Sequence, residues 1–465
     1  MPRTRSAHET SIAATLLLVL VVSAAGCATF RPANAPVKHI DPDSGYRPER
    51  LIGERHIGDV AMVLAFSGGG TRAAALAYGV LLELRDTQIE SGGETKRLLD
   101  EVDTISSVSG GSFTAAYYGL HGDGIFEDFE ARFLKLDVER ALLLRMLSPH
   151  NWIRLMTPLY DRSEMAIDYY DAKIFDDATF ADLAAAGGPL IQINATDLSA
   201  GTRFTFTQPH FDLICSDLTP LHVARAVTAS SAVPVVFSPI ALTNYARKCD
   251  YERPAWLDDA LASRMDAPRR YHIAKEMIYY LEAQAPHYLH LVDGGIADNL
   301  GVRGPLDSVI IEGGIFKRLK DLDAARPQHL VFIVVDSSTD PDRTFVSLPG
   351  APSLAAIMGS VTDTQLHRYN FETKDLLHES MQRWTRASAG GHARMKEHMI
   401  DIAEYAIADE QDRAFFDKVP TSLSLDAETV DRLIAIGRRL LRDSVAYQGL
   451  LTDLGAAPVG EPTDR

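Results

Sequence analysis

The 465-residue chain is short of cysteine and of basic charge, and each shortage excludes something. Its three cysteines, Cys27, Cys215 and Cys249, are too few and too scattered for a structural zinc site or a disulfide-built scaffold. In an oxidising compartment Cys215 and Cys249 can pair; the alternative is two separate buried thiols. Lysine and arginine number 46 against 63 aspartates and glutamates, a formal net charge of −17, which argues against nucleic acid as a partner and against broad electrostatic adhesion to anionic lipid. The apolar run Ile12 to Val22 falls short of the roughly 20 residues that a membrane span needs. No repeat of 20 to 50 residues is visible, no histidine-carboxylate spacing suggests a metal, and no acidic loop suggests calcium, so neither metal nor cofactor is expected.

What is present begins with an export pattern over residues 1–26: Arg3 and Arg5, the apolar run, then Ser23-Ala24-Ala25-Gly26 ahead of Cys27. Small residues before a cysteine resemble a bacterial lipobox, which implies a lipidated Cys27; Ala24 stands where leucine is commoner, so plain secretion stays open. Ala28 in place of Asp implies the outer membrane of a bacterial envelope. Pro32, Pro36, Pro42 and Pro48 read as an extended tether, assigned with Cys27 to residues 27–55.

Strand-like runs at Met62–Phe66, Thr104–Val108, Leu190–Ile193, Tyr288–Val292 and His329–Val335 alternate with helical stretches such as Ala74–Leu84. Such alternation predicts an α/β fold, a mostly parallel sheet between helical layers, with ligands beyond the carboxyl ends of the strands. A main domain over 56–345, with helical insertions near 140–175 and 250–285, would be followed by an α-rich extension over 346–455 and a tail at 456–465. Within the first insertion, residues 142–156 are rich in Leu, Met, Trp and Ile, which fits either a packed helical cap or a lipid-facing lid. Val430, Leu433, Ile434, Ile436, Leu440 and Leu441 recur at helical spacing and predict an amphipathic helix docked on the core.

Three glycine-marked turns follow strands. Gly68-Gly69-Gly70 leaves backbone amides bare at a helix N-terminus, where the helix dipole favours an anion. No lysine follows Gly70 as a nucleotide-binding P-loop would require. Ser109 sits where a strand turns sharply into a helix; Gly111 fits the G-x-S-x-G elbow, and Ser107 stands in place of its first glycine. Asp293, with Gly294 and Gly295, carries a carboxylate to a turn tip, and a carboxylate touching Ser109 in a desolvated crevice can act as its general base. His290 and His329 fall within strands and read as structural, so a serine-aspartate dyad needs no histidine.

These motifs, in this order, resemble the patatin-like phospholipases, in their bacterial lipoprotein branch. The likeness runs through Gly68, Gly69, Gly70 and Arg72 (with Ala73 where a glycine is usual), Ser109 in the elbow, Asn194-Ala195-Thr196-Asp197, Ala229-Ser230-Ser231-Ala232-Val233-Pro234, and Asp293-Gly294-Gly295. It covers roughly residues 60–310. It implies a three-layer α/β/α fold and a phospholipase A type acyl hydrolase, with Ser109 and Asp293 catalytic and Gly68 to Gly70 as oxyanion hole. Arg72 would either screen a substrate phosphate or serve structure. The implied partner is a phospholipid or other acyl-ester lipid; a membrane would be reached through the anchor and, where 142–156 is the lipid-facing lid rather than the packed cap, through that segment as well. The rival reading is a non-catalytic envelope lipoprotein that uses the fold for lipid binding or assembly.

Overall fold

The computed structural model describes residues 32–55, 57–91, 94–157, 159–234, 236–282, 284–322, 324, 326–339, 353–388 and 395–456. The export pattern, Cys27 and nearly all of the tail lie outside them.

In chain order the elements that position the site are β1 (Val60–Phe66), α1 (Gly70–Asp86), β2 (Val102–Val108), α2 (Gly110–His121), α3 (Val138–Met146), α4 (Pro149–Leu155), α5 (Arg162–Tyr170), β3 (Leu190–Asp197) and β4 (Thr202–Thr205). There follow α6 (Val223–Ser230), β5 (Ile240–Thr243), α7 (Ala255–Ala262), α8 (Pro268–Ile278), β6 (Tyr288–Val292), α9 (Gly295–Asp298), α10 (Arg303–Glu312), β7 (His329–Asp336), α11 (Leu354–Ser388), β8 (Lys396–Ala403), α12 (Ala427–Asp443) and α13 (Val445–Asp453). Eight strands form one sheet in the order β8-β7-β1-β2-β3-β6-β5, with β4 pairing β3. The run from β8 to β3 is parallel. Its central strands are apolar almost throughout because helices cover both faces; β7, for example, is buried at every position.

The sheet departs from the parallel expectation where the site requires it. β6 runs antiparallel to β3, with Val292 opposite Thr196, while Val108 of β2 stands opposite Asn194 of the same β3. The strand therefore enters from the far side, and its end comes level with the end of β2.

Two expected boundaries are corrected. Residues 34–55 are not a tether: Asn34 is buried and donates to Ser216 Oγ, Ala35–Pro36 pairs with Ser216–Asp217, and the buried Tyr46 hydroxyl accepts the Ile191 amide. Extended, proline-rich backbone serves as well for lying along a surface as for spanning solvent. Nor is the C-terminal part helical alone: it adds β8 to the central sheet, while the amphipathic helix expected there, α12, packs directly on α1. A Cβ on Gly79 would lie 2.3 Å from the Ile434 carbonyl oxygen, and one on Gly437 2.4 Å from that of Leu76, so the two helices cross with backbones touching. Between β2 and β3 lie α3, α4 and α5, and between β5 and β6 lie α7 and α8, which share a small apolar cluster of Leu257, Ala260 and Ala274. Cys215 and Cys249 form a disulfide.

Candidate active site

Ser109 occupies the turn between β2 and α2 with φ 49° and ψ −121°. Side chains rarely adopt this conformation, which costs on the order of 1–3 kcal/mol and persists only where surroundings over-determine it. Here the Ser109 amide donates to Ser230 Oγ at 2.8 Å, and Ser230 Oγ donates to the Asn194 carbonyl at 2.6 Å. Small neighbours are obligatory, since a Cβ on Gly110 would lie 2.0 Å from the Gly70 carbonyl oxygen and one on Gly111 2.7 Å from that of Ser67. Ser107 fits in place of the usual glycine because its hydroxyl turns inward to the Gln192 carbonyl at 3.2 Å.

Ser109 Oγ donates to Asp293 Oδ2 at 2.9 Å. The other carboxylate oxygen accepts the Gly295 amide at 2.7 Å, and the amides of Asp293 and Gly294 donate to the carbonyls of Ala232 and Ser230. The carboxylate is thus fixed on both sides. Burial pushes its pKa up to about 6 against the smaller lowering effects of the Gly295 and Ser109 hydrogen bonds. Such a group is ionised near neutrality yet remains basic enough to take a proton.

The glycine turn packs on this pair, and the structure narrows its role. The Gly68 amide donates to the Asn299 carbonyl at 3.0 Å, so it cannot serve an oxyanion as expected; Gly68 instead allows close approach, its absent Cβ lying 2.8 Å from Asn299 Oδ1 and 3.3 Å from Ser109 Cβ. Thr71 donates to the Ser422 carbonyl. Among the described residues the amides of Gly69, Gly70 and Gly110 have no protein acceptor. Arg72 is not a phosphate ligand in this arrangement. It is buried, donating to the carbonyls of Ser337 and Val419 and to Thr421 Oγ1, and it ties the loop to the C-terminal part of the chain. Burial lowers its pKa to about 10 despite the charges of Asp336 and Asp417.

Ser230 was the residue with no assigned task, although it holds the Ser109 amide, the Gly294 amide and, at 3.0 Å, Ser112 Oγ. The quoted Ala-Ser-Ser-Ala-Val-Pro stretch was its only signal. Asn194 binds Ser106 Oγ and the Ser107 carbonyl and accepts from Thr205, while Asp197 accepts from Tyr280, so both brace the strands. His329 lies at the start of β7, remote from the strand ends that carry Ser109, and contacts His398 at 3.2 Å. Although no spacing along the chain pointed to a metal, folding brings His329, His398 and Asp453 together as one group able to hold an ion, and Asp171, Asp177 and His222 as another. In the first, Asp453 is already paired with Lys396.

No curated protein matches the chain. Among solved structures, human GIVD cytosolic phospholipase A2 superimposes with a TM-score of 0.39 at 10% identity, over 88% of this chain and 66% of that one. Its complex with methyl gamma-linolenyl fluorophosphonate and terbium chloride gives 0.39 at 12% identity, over 91% and 65%. The chain therefore spans just under two thirds of the length of these proteins. The patatin-like phospholipase family model matches residues 64–306, a stretch that holds the glycine turn, Ser109 and Asp293 and makes up over half of the sequence, and the chain belongs to that family.

Proposed function

We propose that this protein is a lipid acyl hydrolase of phospholipase A type, using Ser109 and Asp293 as a catalytic dyad through an acyl-enzyme. The observation that carries the reading is the 2.9 Å hydrogen bond from Ser109 Oγ to a buried carboxylate whose pKa is raised to about 6. Asp293 takes the hydroxyl proton as Oγ attacks the ester carbonyl carbon. The tetrahedral oxyanion is held by the amides of Gly69, Gly70 and Gly110, each worth about 3 kcal/mol. When the carbon-oxygen bond to the leaving alcohol breaks, the proton on Asp293 passes to that oxygen. Water then gives a proton to Asp293 and its hydroxide to the acyl carbon; the bond from that carbon to Oγ breaks, Asp293 returns the proton to Oγ, and the fatty acid leaves.

Segments that flank the dyad expose Leu198, Val233, Val236 and Ile296, which suits an acyl chain better than a polar substrate. The Cys215–Cys249 disulfide supports an oxidising compartment, in keeping with export and, through a lipidated Cys27, with an anchor in the outer membrane. The test is a fluorophosphonate probe on folded wild type and Ser109→Ala, with folding followed by circular dichroism. Labelling confined to wild type is the expected result. No labelling of folded, detergent-treated wild type would overturn the reading in favour of a non-catalytic lipoprotein.

A further inference from the structure

We propose that α3 and α4 form an interfacial docking surface for an anionic lipid bilayer. Apolar side chains on this helical pair and its flanks face solvent: Leu143, Leu144, Leu147, Trp152, Ile153 and Met156 are between 56% and 82% exposed. One side of the pair packs on the core through Val138, Leu142, Met146 and Leu155, and the six exposed side chains are left uncovered on the other. Soluble surfaces seldom gather large apolar side chains this closely, and such gatherings mark sites of association.

Charge selects the occupant. From Arg140 to Tyr160 the chain carries Arg140, Arg145, His150 and Arg154 and no acidic residue, within a molecule of net charge −17. Arg145 lies over the ring of Tyr169, while Arg154 lies over that of Tyr160 and pairs with Asp168, so part of the basic charge of this stretch is matched and Arg140 and Arg145 supply the rest. An apolar face with basic flanks fits a helix lying at the boundary between headgroups and acyl chains. With 9 and 7 residues the helices are far too short to cross a bilayer. Two copies meeting through this patch across a two-fold axis would bring together two copies of the same basic stretch, which disfavours self-association.

The root of the surface is bonded to the site. Glu139, in the first turn of α3, accepts from Ser422 Oγ at 2.8 Å and from the Leu423 amide at 2.9 Å, while its own amide donates to Ser424 Oγ. The Ser422 carbonyl in turn accepts the Thr71 amide and lies 2.3 Å from where a Cβ on Gly70 would stand. Docking here delivers lipid beside the glycine turn. The proposal rests on the acyl-hydrolase reading for what the bilayer supplies, but its readout does not depend on catalysis.

The experiment uses the full chain with Cys27→Ser, so that lipidation does not contribute, and vesicles of phosphatidylcholine with and without 30% phosphatidylglycerol. Sedimentation should show binding that is stronger on the anionic vesicles, accompanied by a blue shift of Trp152 emission. The triple variant Leu147→Ser/Trp152→Ser/Ile153→Ser should bind at least about tenfold more weakly. Its hydrolysis of a soluble short-chain ester should match that of the parent. Equal vesicle binding by parent and triple variant, no binding by the parent, or a dimer that the triple variant dissolves would each overturn the proposal. Loss of short-chain hydrolysis by the parent with vesicle binding intact would overturn the acyl-hydrolase reading alone.

Discussion

The crevice around Ser109 and the α3–α4 pair are built on opposite principles. In the crevice, the polar atoms around the nucleophile are held: Ser109 N, Ser230 Oγ, both Asp293 oxygens and the amides of Asp293 and Gly294 are all bonded, while the amides of Gly69, Gly70 and Gly110 have no acceptor among the described residues. In the pair, the root is bonded through Glu139 to Ser422, Leu423 and Ser424, but six large apolar side chains beyond it are left in solvent. One region holds geometry against strain, and the other offers surface. A hydrolase of aggregated lipid needs both, because preorganisation serves the reaction while the lipid must first be met at an interface.

The largest effects should come from the crevice. Ser109→Ala and Asp293→Asn are each expected to reduce kcat/KM for a short-chain ester by at least about 10³-fold, without loss of folded protein. Near-normal turnover by either folded variant would remove that residue from the dyad. Asp293→Asn carries a second expectation. Because burial raises this carboxyl to about 6 from an ordinary 3.8, the folded protein holds a proton between these values that the unfolded chain has released. Stability from this group is therefore present at low pH, falls as pH rises from about 4 to 6, and stays lost above. The asparagine variant escapes that penalty and should be more stable at pH 7 by up to about 3 kcal/mol, read from urea unfolding. In wild type, kcat/KM should rise with pH through about 6 as Asp293 ionises.

Next in size is the support of the elbow. Ser230→Ala leaves the Ser109 amide and the Asn194 carbonyl without their shared partner. A buried group left unpaired costs about 1–3 kcal/mol. The expected loss is about 10- to 100-fold, mostly in kcat, since Ser230 does not touch substrate but sets the Ser109 backbone. A change confined to KM would contradict this.

The sequence was most legible where chemistry forces local conformation. A serine at a strand-to-helix reversal demands small neighbours, so Ser109 and Gly111 were readable, and a glycine cluster after an apolar run located the turn at Gly68 to Gly70. What stayed hidden depends on partners distant in the chain. That the Gly68 amide is taken by Asn299, and that Arg72 reaches Val419 and Thr421, follows from contacts more than 200 residues apart, which no local pattern encodes. The strand β8 escaped notice because an edge position buries only alternate residues, so Lys396 to Ala403 looks polar beside β7. The antiparallel entry of β6 was hidden for another reason: a five-residue run, Tyr-Leu-His-Leu-Val, reads alike in either direction. Exposure is the last case. Composition marked 142–156 as apolar but could not say whether anything covered it.

The smallest expected effect tests that exposure directly. Large apolar residues packed in a core lose about 2–5 kcal/mol on truncation, whereas exposed ones change stability by less than about 0.5 kcal/mol each. Trp152 and Ile153, at 59% and 70% exposure, belong to the second class if α3 and α4 stand as described, and Phe113, fully buried against Phe133 with centroids 4.2 Å apart, belongs to the first. Thermal unfolding of Trp152→Ser/Ile153→Ser should leave Tm within about 2 °C of wild type, while Phe113→Ala should lower it severalfold more. A large drop from the double variant would mean that the helices are packed against the body in solution. Their apolar side chains would then belong to the core, and the contrast between a fixed crevice and an open docking surface would fail on its weaker side.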